Sequence, residues 1–153
     1  MSIFWSLVTT FFMAMVPVIE LRGAIPAGVA AGLPVWASAV CAMAGNMIPV
    51  PFIVVFIRKL LKWMEQRSAL LAKLAGKLQQ KAERNKEKVL KYEFWGLVAL
   101  VAIPIPGTGA WTGALVAASL DMQLKRAVPA ILLGVLIAGI LVSMVTAGVV
   151  AVI

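Results

Sequence analysis

Four stretches of the chain carry no charged side chain: residues 1–19, 23–57, 94–120 and 127–153. Each approaches or exceeds the roughly 20 residues that cross a hydrocarbon core of about 30 Å. Of 153 residues, 63% are hydrophobic and only 13% charged, and the mean hydropathy of +1.02 lies far outside the soluble range. The sequence is that of a multi-pass, all-α integral membrane protein. The opening "MSIFWSLVTT" lacks a basic leader and no clear A-x-A site follows, so the first apolar stretch is expected to stay in the mature protein.

The charge is concentrated in one place. Residues 58–91 hold eleven of the fourteen basic and three of the six acidic residues, which accounts for the whole net charge of +8. Beside apolar spans, such a segment is expected on the cytoplasmic side. Leu60, Met64, Leu71, Ala75, Leu78, Ala82 and Val89 recur at steps of three, four or seven. That spacing predicts an amphipathic helix on the lipid surface, partnered by anionic headgroups; a solvated linker helix is the alternative. Nothing in the segment suggests nucleic-acid binding.

Residues 94–120 contain a cluster of helix breakers, Pro104, Pro106, Gly107, Gly109 and Gly113. Pro104 and Gly109 stand about ten residues from either end, and ten helical residues rise about 15 Å, half the hydrocarbon thickness. Two half-helices meeting at the midplane fit better than one kinked span. Re-entry also places Lys125 and Arg126 inside, as positive residues prefer. In the first half, "PVIELRGAIPAGVAAGLP" (17–34) interrupts another apolar run, and the string "AIP" occurs at 24–26 and again at 102–104. The resulting expectation is a single membrane domain, 1–153. It holds two opposed re-entrant hairpins (1–35 and 92–120) and two full transmembrane helices (36–57 and 126–153). The halves form an inverted repeat, joined by the basic amphipathic cytoplasmic helix (58–91).

"ELRGAIPAG" (20–28) and "AIPIPGTGAWTG" (102–113) resemble the signature motifs of the prokaryotic small multidrug export protein family. The basic middle and the length also fit. "KRAVPAILLG", with Arg126, Pro129 and Gly134, is similar to a loop of the more distant DedA/VTT superfamily. The resemblance implies a location in the prokaryotic inner membrane and two opposed re-entrant hairpins. It further implies transport of lipids, above all undecaprenyl phosphate, with proton coupling. Where that superfamily usually has an acidic residue in the second hairpin, "PIPGTGAWTG" has none.

The candidate substrate-binding residues follow from chemistry at membrane depth, where a charge costs about 2.5–3.5 kcal/mol and seeks a partner or cavity. Arg22 is expected to contact an anion and Glu20 to titrate or pair; the alternative is an interfacial pair that snorkels. Pro26 shares their motif. Pro104, Pro106, Gly107, Gly109 and Gly113 expose backbone amides, Thr108 and Thr112 add hydroxyls, and Trp111 can pack on a lipid. Close helix packing is the other reading of the glycines. Lys125 and Arg126 can hold a phosphate headgroup at the hairpin mouth or act as a topological anchor. Asn46, inside a span, is expected to line the cavity or bond a neighbouring helix.

The absence of histidine removes a His metal cluster and a Ser-His triad. No catalytic residue, metal or cofactor is expected, and the chain is not expected to be an enzyme. Cys41 reads as a small buried hydrophobe. The leading expectation is a transporter or flippase for an anionic polyprenyl phosphate. The alternatives are an exporter of small organic compounds or ions, and an accessory factor acting through the basic helix. So short a chain has little room to enclose a path alone, so a homo-oligomer, plausibly a dimer, is expected.

Overall fold

The computed structural model describes residues 2–84 and 86–153, with side chains placed for all of these except 75 and 78–90. The described residues form eight helices and no strand. They are α1 (Ile3–Met15), α2 (Glu20–Ala30), α3 (Val35–Met47), α4 (Pro49–Arg67), α5 (Ala69–Arg84), α6 (Lys86–Ala102), α7 (Ala110–Ser119) and α8 (Leu124–Val152). Two helical runs, Val35–Arg67 and Leu124–Val152, are long and apolar enough to cross a bilayer.

Prolines set the breaks. The proline ring disfavours helical geometry at the residue before it, although Pro26 and Pro129 are accommodated inside helices. Val16, before Pro17, accordingly ends α1 in extended geometry, and α6 stops at Ala102 ahead of Ile103 and Pro104. α1 then packs on α2, and α6 on α7, as two helical hairpins. The first break is residues 16–19 and the second 103–109. The interruption expected over 17–34 is therefore much shorter: Gly23, Pro26 and Gly28 all lie within α2.

The hairpins end alike. The amides of Ala31, Gly32 and Leu33 donate to the carbonyls of Ala27, Val29 and Gly28. Those of Leu120, Asp121 and Met122 donate to Val116, Ala118 and Ala117, the same bonds displaced by 89 positions (33 to 122). Gly32 and Asp121 both take positive φ there, at 92° and 51°. The long helices then start at Val35 and Leu124, again 89 apart. Gly45 of α3 rests against the Phe11 carbonyl and the Ala14 Cβ; Gly134 of α8 rests against the Val98 carbonyl and the Val101 Cβ. That contact aligns α1 with α6 at an offset of 87 (14 to 101) and brings Pro17 onto Pro104. The two "AIP" strings, 78 apart, are not equivalent: 24–26 lies in the middle of α2, while 102–104 ends α6.

Two boundaries differ from expectation. The first long run does not end at 57: its helical pattern lapses at Ile48, where Pro49 and Pro51 follow while the backbone keeps helical angles (φ −60°, ψ −47°), and α4 continues to Arg67. The basic segment 58–91 is divided among the end of α4, α5 and the start of α6. Its apolar residues Leu60, Met64 and Leu71 are exposed; the side chains of Ala75, Leu78, Ala82 and Val89 lie outside the described residues.

The interior is built of small side chains. Ala24, Ala42, Ala110, Ala114, Ala127 and Ala130 are fully buried, whereas Phe4, Trp5, Phe12, Trp36, Phe52 and Phe56 face outward. A soluble chain would invert this arrangement. In lipid, burial of apolar area supplies no drive between helices, so close backbone approach has to hold them together. Gly45 on α1, Gly134 on α6 and Gly139 against Met43 of α3 provide that approach.

Candidate functional site

The two hairpin tips meet, and each completes the other. Helix ends leave backbone N–H and C=O groups without partners. At the second tip the N-cap of α7 is Gly109, which has no side chain to cap with. Glu20, from the first hairpin, takes that role: its Oε1 accepts the Trp111 amide at 3.2 Å, a carboxylate set on the positive end of a helix dipole. A Cβ on Gly109 would land on the Glu20 carboxylate. Glu20 is only 5% exposed, and its φ of 48° lies in the left-handed region that non-glycine residues seldom occupy.

Arg22 caps the opposite helix end. Its Nη1 donates to the Ile105 carbonyl at 2.7 Å and its Nη2 to the Ile103 carbonyl at 2.7 Å, with Thr108 Oγ1 3.3 Å away. Nη1 also lies 3.8 Å from Glu20 Oε2. The planar guanidinium sets its two amino groups on two carbonyls in a fixed fork, which the point charge of an ammonium does not offer. In return, Trp111 Nε1 donates to the Met15 carbonyl, the last of α1, at 3.0 Å. At the 89-residue offset Arg22 and Trp111 are equivalent positions (22 to 111). Each hairpin thus sends a donor from its second helix to the carbonyl end of the other hairpin's first helix.

Of the residues singled out from sequence, Glu20, Arg22, Thr108, Gly109 and Trp111 come together at this junction. Pro104, Pro106 and Gly107 lie in the same tip, exposed, and Gly107 turns the chain at φ 86°. Pro17, Pro104 and Pro106 carry no N–H, so the tips present fewer donors that need partners. Thr112 Oγ1 donates back to the Gly107 carbonyl at 2.7 Å. Gly113 instead lets α7 approach Val101 and Ile131. Pro26 lies on an exposed face of α2, away from the tip.

Asn46 is wholly buried on α3, yet neither amide atom has a hydrogen-bond partner. The interhelical bond expected for it is not made in this conformation.

Lys125 and Arg126 are exposed at the start of α8, at the other end of the ten-residue α7, about 15 Å from the tip. There Arg58 Nε lies 3.2 Å from Asp121 Oδ1 and Arg58 Nη2 donates to the Met122 carbonyl, while Arg126 lies close enough to Glu93 to act on its charge. Residues from both ends of the second hairpin therefore share one level with Arg58. Sequence reasoning missed Arg58, hidden among eleven basic residues, and the Met15, Ile103 and Ile105 carbonyls. The prolines after Val16, Ile103 and Ile105 were the available signal, since they interrupt the helical hydrogen-bond ladder. Among the described residues no group of acidic or cysteine side chains could hold a metal.

The family described as "Putative small multi-drug export protein" matches residues 20–141. The chain belongs to this family. The match begins at Glu20 and takes in both tip motifs, the basic segment and the bulk of α8. No curated protein and no solved structure matches the chain. Membership of an export family, with two helical runs long and apolar enough to cross a bilayer, makes this a membrane protein.

Proposed function

We propose that the protein is a membrane exporter in which the two hairpins re-enter from opposite faces and their tips form the barrier between them. The reciprocal bonding of Glu20, Arg22 and Trp111 carries this reading. Irregular backbone is tolerated at membrane depth only where its polar groups find partners within the protein or a cavity. The tips meet that requirement through each other. Tryptophan placement supports the same topology, because indoles gather at bilayer interfaces. Trp5 and Trp36, both exposed, begin α1 and α3 at the mouth of the first hairpin. Trp63 and Trp95, also exposed, lie at the basic side near the mouth of the second. Trp111 alone is at a tip. The repeated offsets of 89 and 87 residues support an inverted repeat, and alternate exposure of the tip junction to either mouth follows from such symmetry.

The cargo in this reading is a small organic compound, in keeping with the family's description. Arg22 is already engaged by two carbonyls and Glu20 by an amide, so the junction offers no free net charge to select an anion. A second reading, transport of a polyprenyl phosphate, is favoured by the exposed Lys125 and Arg126 beside Arg58, at the level where a headgroup would lie. The wider likeness to the DedA/VTT superfamily rests on "KRAVPAILLG" alone.

Purified protein in proteoliposomes, loaded in parallel with a fluorescent organic cation and with labelled undecaprenyl phosphate, separates these readings. The proposal expects dye movement that Arg22→Gln abolishes. Movement of the lipid alone, reduced by Arg126→Gln, would replace it with the second reading. Movement of neither, with the protein folded and an ion gradient imposed, would favour an accessory role.

A further inference from the structure

We infer that α4 is a gate helix that pivots at Ile48 and is latched by Arg58 to the basic-side mouth of the second hairpin. Three independent features meet on α4 and the turn that joins it to α3.

The first is the pivot. The long run Val35–Arg67 is interrupted at Ile48, and Pro49 and Pro51 strip two amide donors from the following turn, a recognised cause of kinks and hinges. At the 89-residue offset the corresponding positions of α8 are Ala138 and Ile140, and α8 is continuous there. This interruption belongs to one half only, and the helix that follows it, α4, packs along α7.

The second is the latch. Arg58, on α4, reaches Asp121 and the Met122 carbonyl at the end of α7. Asp121 stands where the first hairpin has Gly32 and adopts the same left-handed conformation without being glycine, so this mouth has gained a carboxylate that the other lacks. The pair is partly exposed, with Asp121 side-chain exposure of 56%, and an exposed ion pair is weak. It holds the helix without fixing it.

The third is the opposing bias. Asn46 precedes the interruption by two residues and is buried with both amide atoms unpaired, where the other half has Val135, also buried. A buried amide without partners disfavours the packing that contains it. The latched arrangement is therefore held at the mouth and penalised at the pivot, as a two-state element requires.

The test reads accessibility and needs no cargo. In a Cys41→Ser background, Met122→Cys places a thiol at a site only 3% exposed behind the latch. Its reaction with a membrane-impermeant maleimide is followed in oriented proteoliposomes. Arg58→Ala is expected to accelerate labelling at least roughly fivefold, the loss of an exposed ion pair and a charged hydrogen bond. Asn46→Val is expected to slow it below the parent. Hydrogen exchange gives a second readout on chains that retain Met122: Arg58→Ala should raise exchange in α7 and leave α2 unchanged. Labelling insensitive to Arg58→Ala, or exchange rising equally in α2 and α7, would overturn the inference.

Discussion

The two hairpin tips solve one problem with different chemistry. The first is a break of four residues, 16–19, and presents one terminal carbonyl, Met15, to the partner tip; a neutral indole satisfies it. The second is a break of seven, 103–109, and presents the Ile103 and Ile105 carbonyls; these take a guanidinium. Once a charge is placed there, a carboxylate must accompany it, and Glu20 meets that need while capping α7. The charged pair and the glycine-rich loop are thus two halves of one junction.

A large effect should come from filling the space that Glu20 occupies. Gly109→Ala puts a methyl group into the carboxylate, and overpacking of this kind costs about 1–3 kcal/mol; unfolding in detergent should register that loss. The comparison sharpens if Glu20→Ala is made first, because Gly109→Ala should then cost little. A cost unchanged by Glu20→Ala would mean that the two tips do not meet in this way.

The donors should rank by charge. Arg22→Gln leaves Glu20 without its cation and removes the charged donor to the Ile103 and Ile105 carbonyls, a loss of about 3 kcal/mol for a broken buried pair. Trp111→Phe removes one neutral hydrogen bond and should cost about 1 kcal/mol. Equal costs, measured by thermal unfolding in detergent, would break the comparison between tips.

One further effect has the opposite sign. Asn46→Val copies into the first half the residue that the second half has at Val135. Removing an unpaired buried amide should stabilise the protein by about 1–2 kcal/mol, seen as a raised melting temperature.

Much of this was legible from sequence. Charge-free stretches announced the membrane, and the breaker cluster at 104–113 marked the second tip, because proline and glycine act locally. Glu20 and Arg22 drew attention as charges at membrane depth. The first tip was misplaced, since proline is as conspicuous at Pro26 inside a helix as at Pro17, where it ends one. The string "AIP" does not mark equivalent positions, because the correspondence between the halves lies in backbone hydrogen bonds and glycine contacts, which unlike side chains can share. The role of Arg22 was out of reach: its partners are backbone carbonyls some 80 positions away (22 to 103), and they have no signature of their own. Arg58 was lost in a crowd of cations for the same reason, with its partner Asp121 in another segment.

The central claim is that both hairpins enter and leave on one face each, and on opposite faces. Single cysteines at Ala30 and Ser119, both exposed near the ends of α2 and α7, in a Cys41→Ser background, measure this directly with an impermeant thiol reagent in sealed vesicles of known orientation. The account expects Ser119→Cys to react only from the side that bears the basic segment and Ala30→Cys only from the other. Reaction of Ser119→Cys from the side opposite the basic segment would mean that residues 94–120 cross the bilayer, and would contradict it.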